Sequence, residues 1–272
     1  MKLCSIGSGS KGNSFALSEA GETLIVDAGF GPRTTLNRLR KAEFQLGRVS
    51  AIALTHEHGD HARGVAPLAE KLACQVVASA GTLRALQGRL NGIKTSVLAP
   101  HTPMQIGRFS ITGCLTSHDA AEPMALLIAG LDSRVSVAVA YDLGRPTHTL
   151  KYLLRRAHCV VIESNHDESM LRTGPYPPIV QERIAGSRGH LSNRAAAQLV
   201  SEIVHPGLGH VILAHVSHNC NEPELALSTV RDKLTSRGFD GIVQVAAQDR
   251  PSVTFEITNS EAQLEFEQTI KS

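Results

Sequence analysis

The segment Thr55-His56-Glu57-His58-Gly59-Asp60-His61 packs four potential metal ligands into six residues. Neutral imidazole combined with carboxylate suits zinc, manganese and iron. In an extended stretch, side chains two apart point the same way, so His56 and His58 can grip one ion together. Asp60 and His61 come after the chain turns, face differently and can serve a second ion. A solitary histidine in a loop is usually solvated surface; H-x-H-x-D-H spacing argues for a metal site. The elements around the motif fit that reading. Val49 to Leu54 is an apolar run that reads as a short buried strand. Ala62 to Ala73 has the apolar spacing of a helix. The ligands thus occupy a strand-to-helix connection, where a rigid scaffold can aim them into a cleft.

Other polar clusters fall at the ends of apolar runs. Asp27 closes Glu22–Val26. His118 follows Phe109–Leu115. Asp142 ends the β-branched run Arg134–Ala140, as a cap or as a ligand. Glu163-Ser164-Asn165-His166-Asp167 follows Cys159–Ile162, and His215-Val216-Ser217 follows His210–Ala214. Asn165 is a candidate substrate contact. His166 and Asp167 read equally as a site pair or as an Asx turn before a helix. In Gly189-His190-Leu191-Ser192-Asn193, Ser192 is placed to N-cap the helix from Arg194, whose free N–H groups suit a phosphate.

These motifs, with Ser5-Ile6-Gly7-Ser8-Gly9-Ser10-Lys11-Gly12-Asn13-Ser14, resemble the metallo-β-lactamase fold of metal-dependent hydrolases. More narrowly they resemble the bacterial YycJ (WalJ) family, described as DNA exonucleases, over the chain to about Arg250. The resemblance implies a four-layer αββα sandwich with two divalent ions, Zn²⁺ or Mn²⁺ and otherwise Fe²⁺. His56, His58 and His118 would hold one; Asp60, His61 and His215 the other; Asp142 would bridge them. Enzymes that hydrolyse β-lactams commonly carry Cys in that place, and a carboxylate fits a two-metal phosphoesterase better. By the same resemblance Asp27 supports the metal loop, Asp60 orients a hydroxide shared by the ions, and His190 protonates the leaving oxygen. Asn221 matches the family pattern and is expected at the substrate. Cys220 departs from it, since Asn is usual there.

At 272 residues, 42% of them apolar, the chain can bury a sizeable core. One hydrolase domain over residues 1–258 and a polar tail over 259–272 are expected. The net charge of +2 does not by itself argue for nucleic acid. Lys11, Arg172, Arg183, Arg188 and Arg194 are expected near the cleft rim, where they could follow a phosphate backbone. Five scattered cysteines without a C-x-x-C pair read as reduced thiols. With no apolar run long enough to span a bilayer and no secretion signal, a cytoplasmic protein is expected, with no membrane partner. Gly7-Ser8-Gly9-Ser10-Lys11-Gly12 matches G-x-G-x-x-G, but a strand-like stretch follows it, so it reads as a hairpin loop rather than a dinucleotide site.

The expected activity is phosphodiester hydrolysis in DNA from a 5′ end. The rivals are an RNA-processing nuclease or small-molecule phosphodiesterase of the same fold, a thioester or lactam hydrolase, and a metal-stabilised nucleic-acid-binding module without turnover. The absence of a long glycine-rich arm weighs against tRNA maturation. Oligomeric state is not readable from the residues.

Overall fold

The computed structural model describes residues 1–258; the polar tail expected over 259–272 lies outside them. The first half runs β1 (Lys2–Gly7), β2 (Ser14–Glu19), β3 (Glu22–Val26), α1 (Pro32–Lys41), β4 (Arg48–Ala53), α2 (Gly59–Ala62), α3 (Val65–Leu72), β5 (Gln75–Ala78), α4 (Ala80–Ala85) and β6 (Thr95–Val97). The second half runs β7 (Met104–Ile106), β8 (Phe109–Leu115), β9 (Met124–Gly130), β10 (Ser136–Ala140), α5 (His148–Leu154), β11 (Cys159–Glu163), α6 (Glu168–Thr173), α7 (Pro178–Ala185), α8 (Asn193–Ser201), β12 (His210–Ala214), α9 (Pro223–Thr235), β13 (Ile242–Val245) and β14 (Phe255–Glu256).

The strands form two seven-stranded mixed sheets, ordered β14-β1-β2-β3-β4-β5-β6 and β13-β12-β11-β10-β9-β8-β7. Side chains alternate across a pleated strand, and the buried clusters follow that alternation. Leu24 and Val26 of β3 and Val137 and Val139 of β10 meet in a core between the sheets, with Phe15, Phe109 and Tyr141. Ala138 and Ala140 point the other way, under α5 and α8, against Leu150, Leu154, Ala197 and Val200. Ile25 and Ile52 likewise face α3 through Val65 and Leu68. Helix, sheet, sheet and helix therefore make four layers, the expected αββα sandwich.

Parallel pairing decides where function can sit. Strands β3, β4, β5 and β6 are mutually parallel, as are β10, β11, β12 and β13. Their carboxyl ends share one edge of each sheet, the side where ligands collect in such sheets. Burial on both faces explains why β10 and β11 read as unbroken apolar runs with no alternation.

Two details differ from the sequence reading. The stretch read as one helix from Ala62 is split into α2 and α3 by Gly64. A Cβ there would lie 2.0 Å from the Phe30 carbonyl, and the Gly64 N–H donates to the Ala28 carbonyl. The loop-rich stretch from Gly88 holds β6 and the approach to β7. Each of these strands is only three residues long, too short for a period-two pattern to register. The glycine-rich stretch joins β1 to β2 with no helix, as a hairpin loop.

Candidate metal centre

Each side chain expected at the metals sits at or just beyond the carboxyl end of a strand. His56, His58, Asp60 and His61 follow β4, His118 follows β8, Asp142 follows β10 and His215 follows β12. The ligand atoms of His56, His58 and His118 lie within 4.8 Å of one another, as do those of Asp60, His61 and His215. Asp142 stands between the two groups. Its Oδ2 is 2.8 Å from His61 Nε2 and 3.7 Å from His56 Nε2; its Oδ1 is 3.7 Å from His215 Nδ1 and 3.8 Å from His118 Nε2.

Donor chemistry and an unmet bonding need both fit divalent ions. His56 Nε2 is buried without a hydrogen-bond partner, and Asp142 Oδ2, though 2.8 Å from His61 Nε2, makes no hydrogen bond. Buried polar atoms are normally paired, and an exception at a converging His/Asp cluster points to a cation. The Nδ1 atoms of three of these histidines are committed in ways that aim Nε2 at the cluster. His61 Nδ1 binds Asp27 at 2.8 Å and His56 Nδ1 binds the Thr55 hydroxyl at 3.0 Å. His118 Nδ1 lies 3.3 Å from the Gly189 carbonyl. These three histidines therefore present Nε2.

Two buried carboxylates organise the shell behind the ligands. Asp27, fully buried, accepts from the Thr55 N–H at 2.8 Å, the Thr55 hydroxyl at 2.8 Å and the Tyr141 hydroxyl at 2.5 Å, besides His61. It ties the metal loop to the opposite sheet. The second, Glu163 at the end of β11, was not singled out by sequence reasoning. Its Oε1 takes His190 Nδ1 at 2.6 Å and His215 Nδ1 at 3.2 Å. Its Oε2 accepts from the N–H groups of Leu143 at 2.9 Å and Leu191 at 3.0 Å. The available signal was an acidic residue closing a buried apolar strand, a position that requires a compensating partner.

The backbone is also constrained. Asp27, Asp142 and His215 take φ of 57°, 56° and 52°, left-handed values uncommon outside glycine. Strain of this kind gathers where surrounding structure over-determines a site. Gly29 is required for another reason: a Cβ there would lie 2.0 Å from the Asp60 carbonyl.

Charge follows geometry. Burial opposes ionisation of Asp142, but the adjacent His215 and His61 outweigh it and hold its pKa well below the carboxylate range. Burial likewise opposes charge on His190, and Glu163 and Asp142 outweigh it, so its pKa lies well above the ordinary histidine value. Burial raises the Asp60 pKa, yet hydrogen bonds from His215 and His61 pull it below its usual value.

These groups line a cleft of about 220 Å³ with Ser10, Asp119, Asn165, Tyr176, Arg183, Ile184 and Ser217. A larger groove of about 730 Å³, lined by Glu19, Gly21, Gln45 and Asp132, holds no histidine. Asn165 reaches the cleft, where its amide donates to the His215 carbonyl at 2.9 Å. Ser192 and Asn221 are not brought to it. Ser192 caps α8 through the Ala195 N–H and donates to Glu168. Asn221 is buried and bonded to Asn193 and to the carbonyls of Ser164 and Asn165. Asp167 is the Asx cap of α6, accepting from the N–H groups of Ser169 and Met170. Cys220 is a buried thiol next to Gly174. Of the basic residues expected at the rim, Arg183 lines the cleft, Arg188 donates to the His118 carbonyl, and Arg194 pairs with Glu168.

An αββα sandwich with paired His/Asp clusters on one edge defines a metal-dependent hydrolase of the metallo-β-lactamase fold. Residues 22–216 match the model of the β-lactamase superfamily domain. The chain is 33% identical over 237 residues to exodeoxyribonuclease YycJ of Bacillus anthracis, covering 86% of this chain and 89% of that protein. It is 29% identical to exodeoxyribonuclease WalJ of Streptococcus pneumoniae serotype 2, covering 86% and 88%. Among solved structures, the metallo-β-lactamase-fold protein YhfI of Bacillus subtilis superposes with a TM-score of 0.67 at 20% identity, covering 92% of this chain and 98% of that one. Zinc-bound PqqB of Methylobacterium extorquens gives 0.69 at 17%, covering 94% and 100%. The chain belongs to the β-lactamase superfamily and, within it, to the family of the YycJ and WalJ proteins.

Proposed function

We propose that the protein is a dinuclear metal-dependent phosphodiesterase that degrades DNA from a 5′ end. One observation carries the reading: the Asp142 carboxylate stands between two separate three-residue ligand clusters, the geometry of a bridge between two ions. The names of the YycJ and WalJ relatives support DNA as substrate. His56, His58 and His118 would hold one ion, Asp60, His61 and His215 the other, and Asp142 both. Two ions bound there would neutralise phosphate charge and lower the pKa of water. The imidazole and carboxylate donors suit Zn²⁺, Mn²⁺ or Fe²⁺.

The chain's own groups do the rest. Asp60, part-exposed at the cleft, accepts a hydrogen bond from the attacking water and orients it. His190 has Nδ1 committed to Glu163, which leaves Nε2 to pass a proton to the departing 3′-oxygen. Proton transfer of this kind contributes about 10²–10⁴ in rate. Asn165 keeps His215 in position. Five unpaired cysteines support a reducing, cytoplasmic compartment. Among the described residues no helix is long and apolar enough to cross a membrane.

The test is incubation of metal-loaded protein with 5′-labelled DNA, oligo-RNA and a chromogenic phosphodiester. Release of labelled mononucleotide from DNA is expected. Cleavage of RNA alone would assign an RNA nuclease instead, and turnover of none would leave a binding module.

A further inference from the structure

We propose that Arg183 grips a phosphate of the substrate at the mouth of the metal cleft, and that Asp119 holds the guanidinium there until the phosphate replaces it. The inference rests on the phosphodiesterase reading above and assigns a residue to substrate binding.

Among the described residues, Arg183 is the only lysine or arginine lining the cleft that contains the metal ligands. Its Nε donates to Asp119 Oδ2 at 2.9 Å, and its Nη2 donates to the same oxygen. The other Asp119 oxygen lies 3.3 Å from His118 Nε2. The guanidinium is therefore one carboxylate away from a nitrogen of the first ligand cluster. A planar fork of N–H donors fits phosphate as well as carboxylate. Asp119 occupies the place a phosphate oxygen would take.

The pair is built to exchange. The Arg183 side chain is 72% exposed and that of Asp119 31%. Exposed ion pairs contribute little to stability, so this one is cheaply broken. Helix α7, which carries Arg183, buries none of its side chains. It lies between Gly174-Pro175 and Gly186, and beyond it the Ser187 carbonyl accepts from the Ser117 hydroxyl at 2.7 Å. Few packing contacts would be lost if α7 moved with its arginine. The cleft wall otherwise carries the carboxylates of Asp60, Asp119 and Asp142, with Glu163 buried behind them. An incoming phosphodiester repels Asp119 and offers Arg183 a second anion. Arg188 and Arg194 do not line this cleft; they reach the His118 carbonyl and Glu168 instead.

The two partners of one ion pair then predict opposite outcomes. With metal-loaded protein and bis(p-nitrophenyl) phosphate, Arg183→Gln is expected to raise KM about ten- to a hundredfold, the weight of a charge-assisted hydrogen bond, with kcat little changed. Arg183→Lys should recover part of it, and Asp119→Asn should lower KM. Binding of fluorescein-labelled single-stranded DNA, measured against NaCl concentration, gives a readout without turnover. Arg183→Gln should reduce the slope of log K on log salt by about 0.7, and Asp119→Asn should not. Equal changes of KM in the same direction for both variants would mean that the pair merely braces α7, and would overturn the proposal. So would an unchanged salt slope in Arg183→Gln. If wild-type protein hydrolysed no phosphodiester at all, the proposed function would fall, and the salt slope would still decide the role of Arg183.

Discussion

The two sheets furnish the metal centre by opposite means. The first sends out one loop, residues 55–61 after β4, that carries four ligands together. The second contributes single residues from separate places: His118 after β8, Asp142 after β10, Glu163 on β11, and His215 after β12. Each half is organised by one buried carboxylate. Asp27 holds the contiguous loop through Thr55, His61 and Tyr141, whereas Glu163 gathers His190, His215 and the N–H groups of Leu143 and Leu191. The difference teaches that a ligand loop needs anchoring at one point, while ligands spread over a parallel sheet need a hub that reaches several connections at once.

The largest effect should come from breaking both halves together. Asp142→Asn keeps the side-chain size and tolerates the left-handed backbone, but it is a far weaker ligand. Turnover should fall to background and bound metal should fall below two equivalents, as read by elemental analysis. Glu163→Gln should injure the second half alone. Its expected cost on DNA is about 10²–10⁴ in kcat, the contribution of a proton donor. A p-nitrophenyl diester, whose leaving group needs no proton, should lose much less. Equal losses on both substrates would put the damage at His215 and the metal rather than in proton transfer by His190.

Asp27→Asn should injure the first half. Metal affinity at the Asp60–His61–His215 cluster is expected to drop about 10- to 100-fold, the usual price of losing an outer partner of a ligand. Competition with a chromogenic chelator checks it, and the His56–His58–His118 cluster should be affected less. The smallest effect is a control away from the metal centre. Hydrogen bonds from Ser50 and Arg48 draw the Glu22 pKa down to about 2 from its ordinary 4.5. A depressed folded pKa gives stability that is full above 4.5 and fades as pH falls toward 2. Glu22→Gln should flatten acid unfolding in that window and leave metal content unchanged.

The same contrast explains what was legible in the sequence. A contiguous H-x-H-x-D-H carries its own spacing signal, and the apolar runs beside it fixed the strand and helix that hold it. Glu163 carries no such signal, since its importance lies in reaching residues 20 to 52 positions away. Ser192 caps α8 as its position in the sequence indicates, and with Asn221 it shows the opposite case. Their donors are visible in sequence, but not that Glu168, Asn193 and the carbonyls of Ser164 and Asn165 consume them. Helix α6 near the cleft was readable as the element after Asp167. Five basic residues were expected at the rim; that Arg183 is the one of them to line the metal cleft was not readable, because it depends on how the segment folds back over His118.

The most direct test of the whole account is to titrate metal-free protein with Mn²⁺ or Zn²⁺ while following release of nucleotide from 5′-labelled DNA. The account predicts activity that rises with added metal and saturates at two equivalents per chain. Full activity at one equivalent, or no nucleotide release at any metal loading, would contradict it.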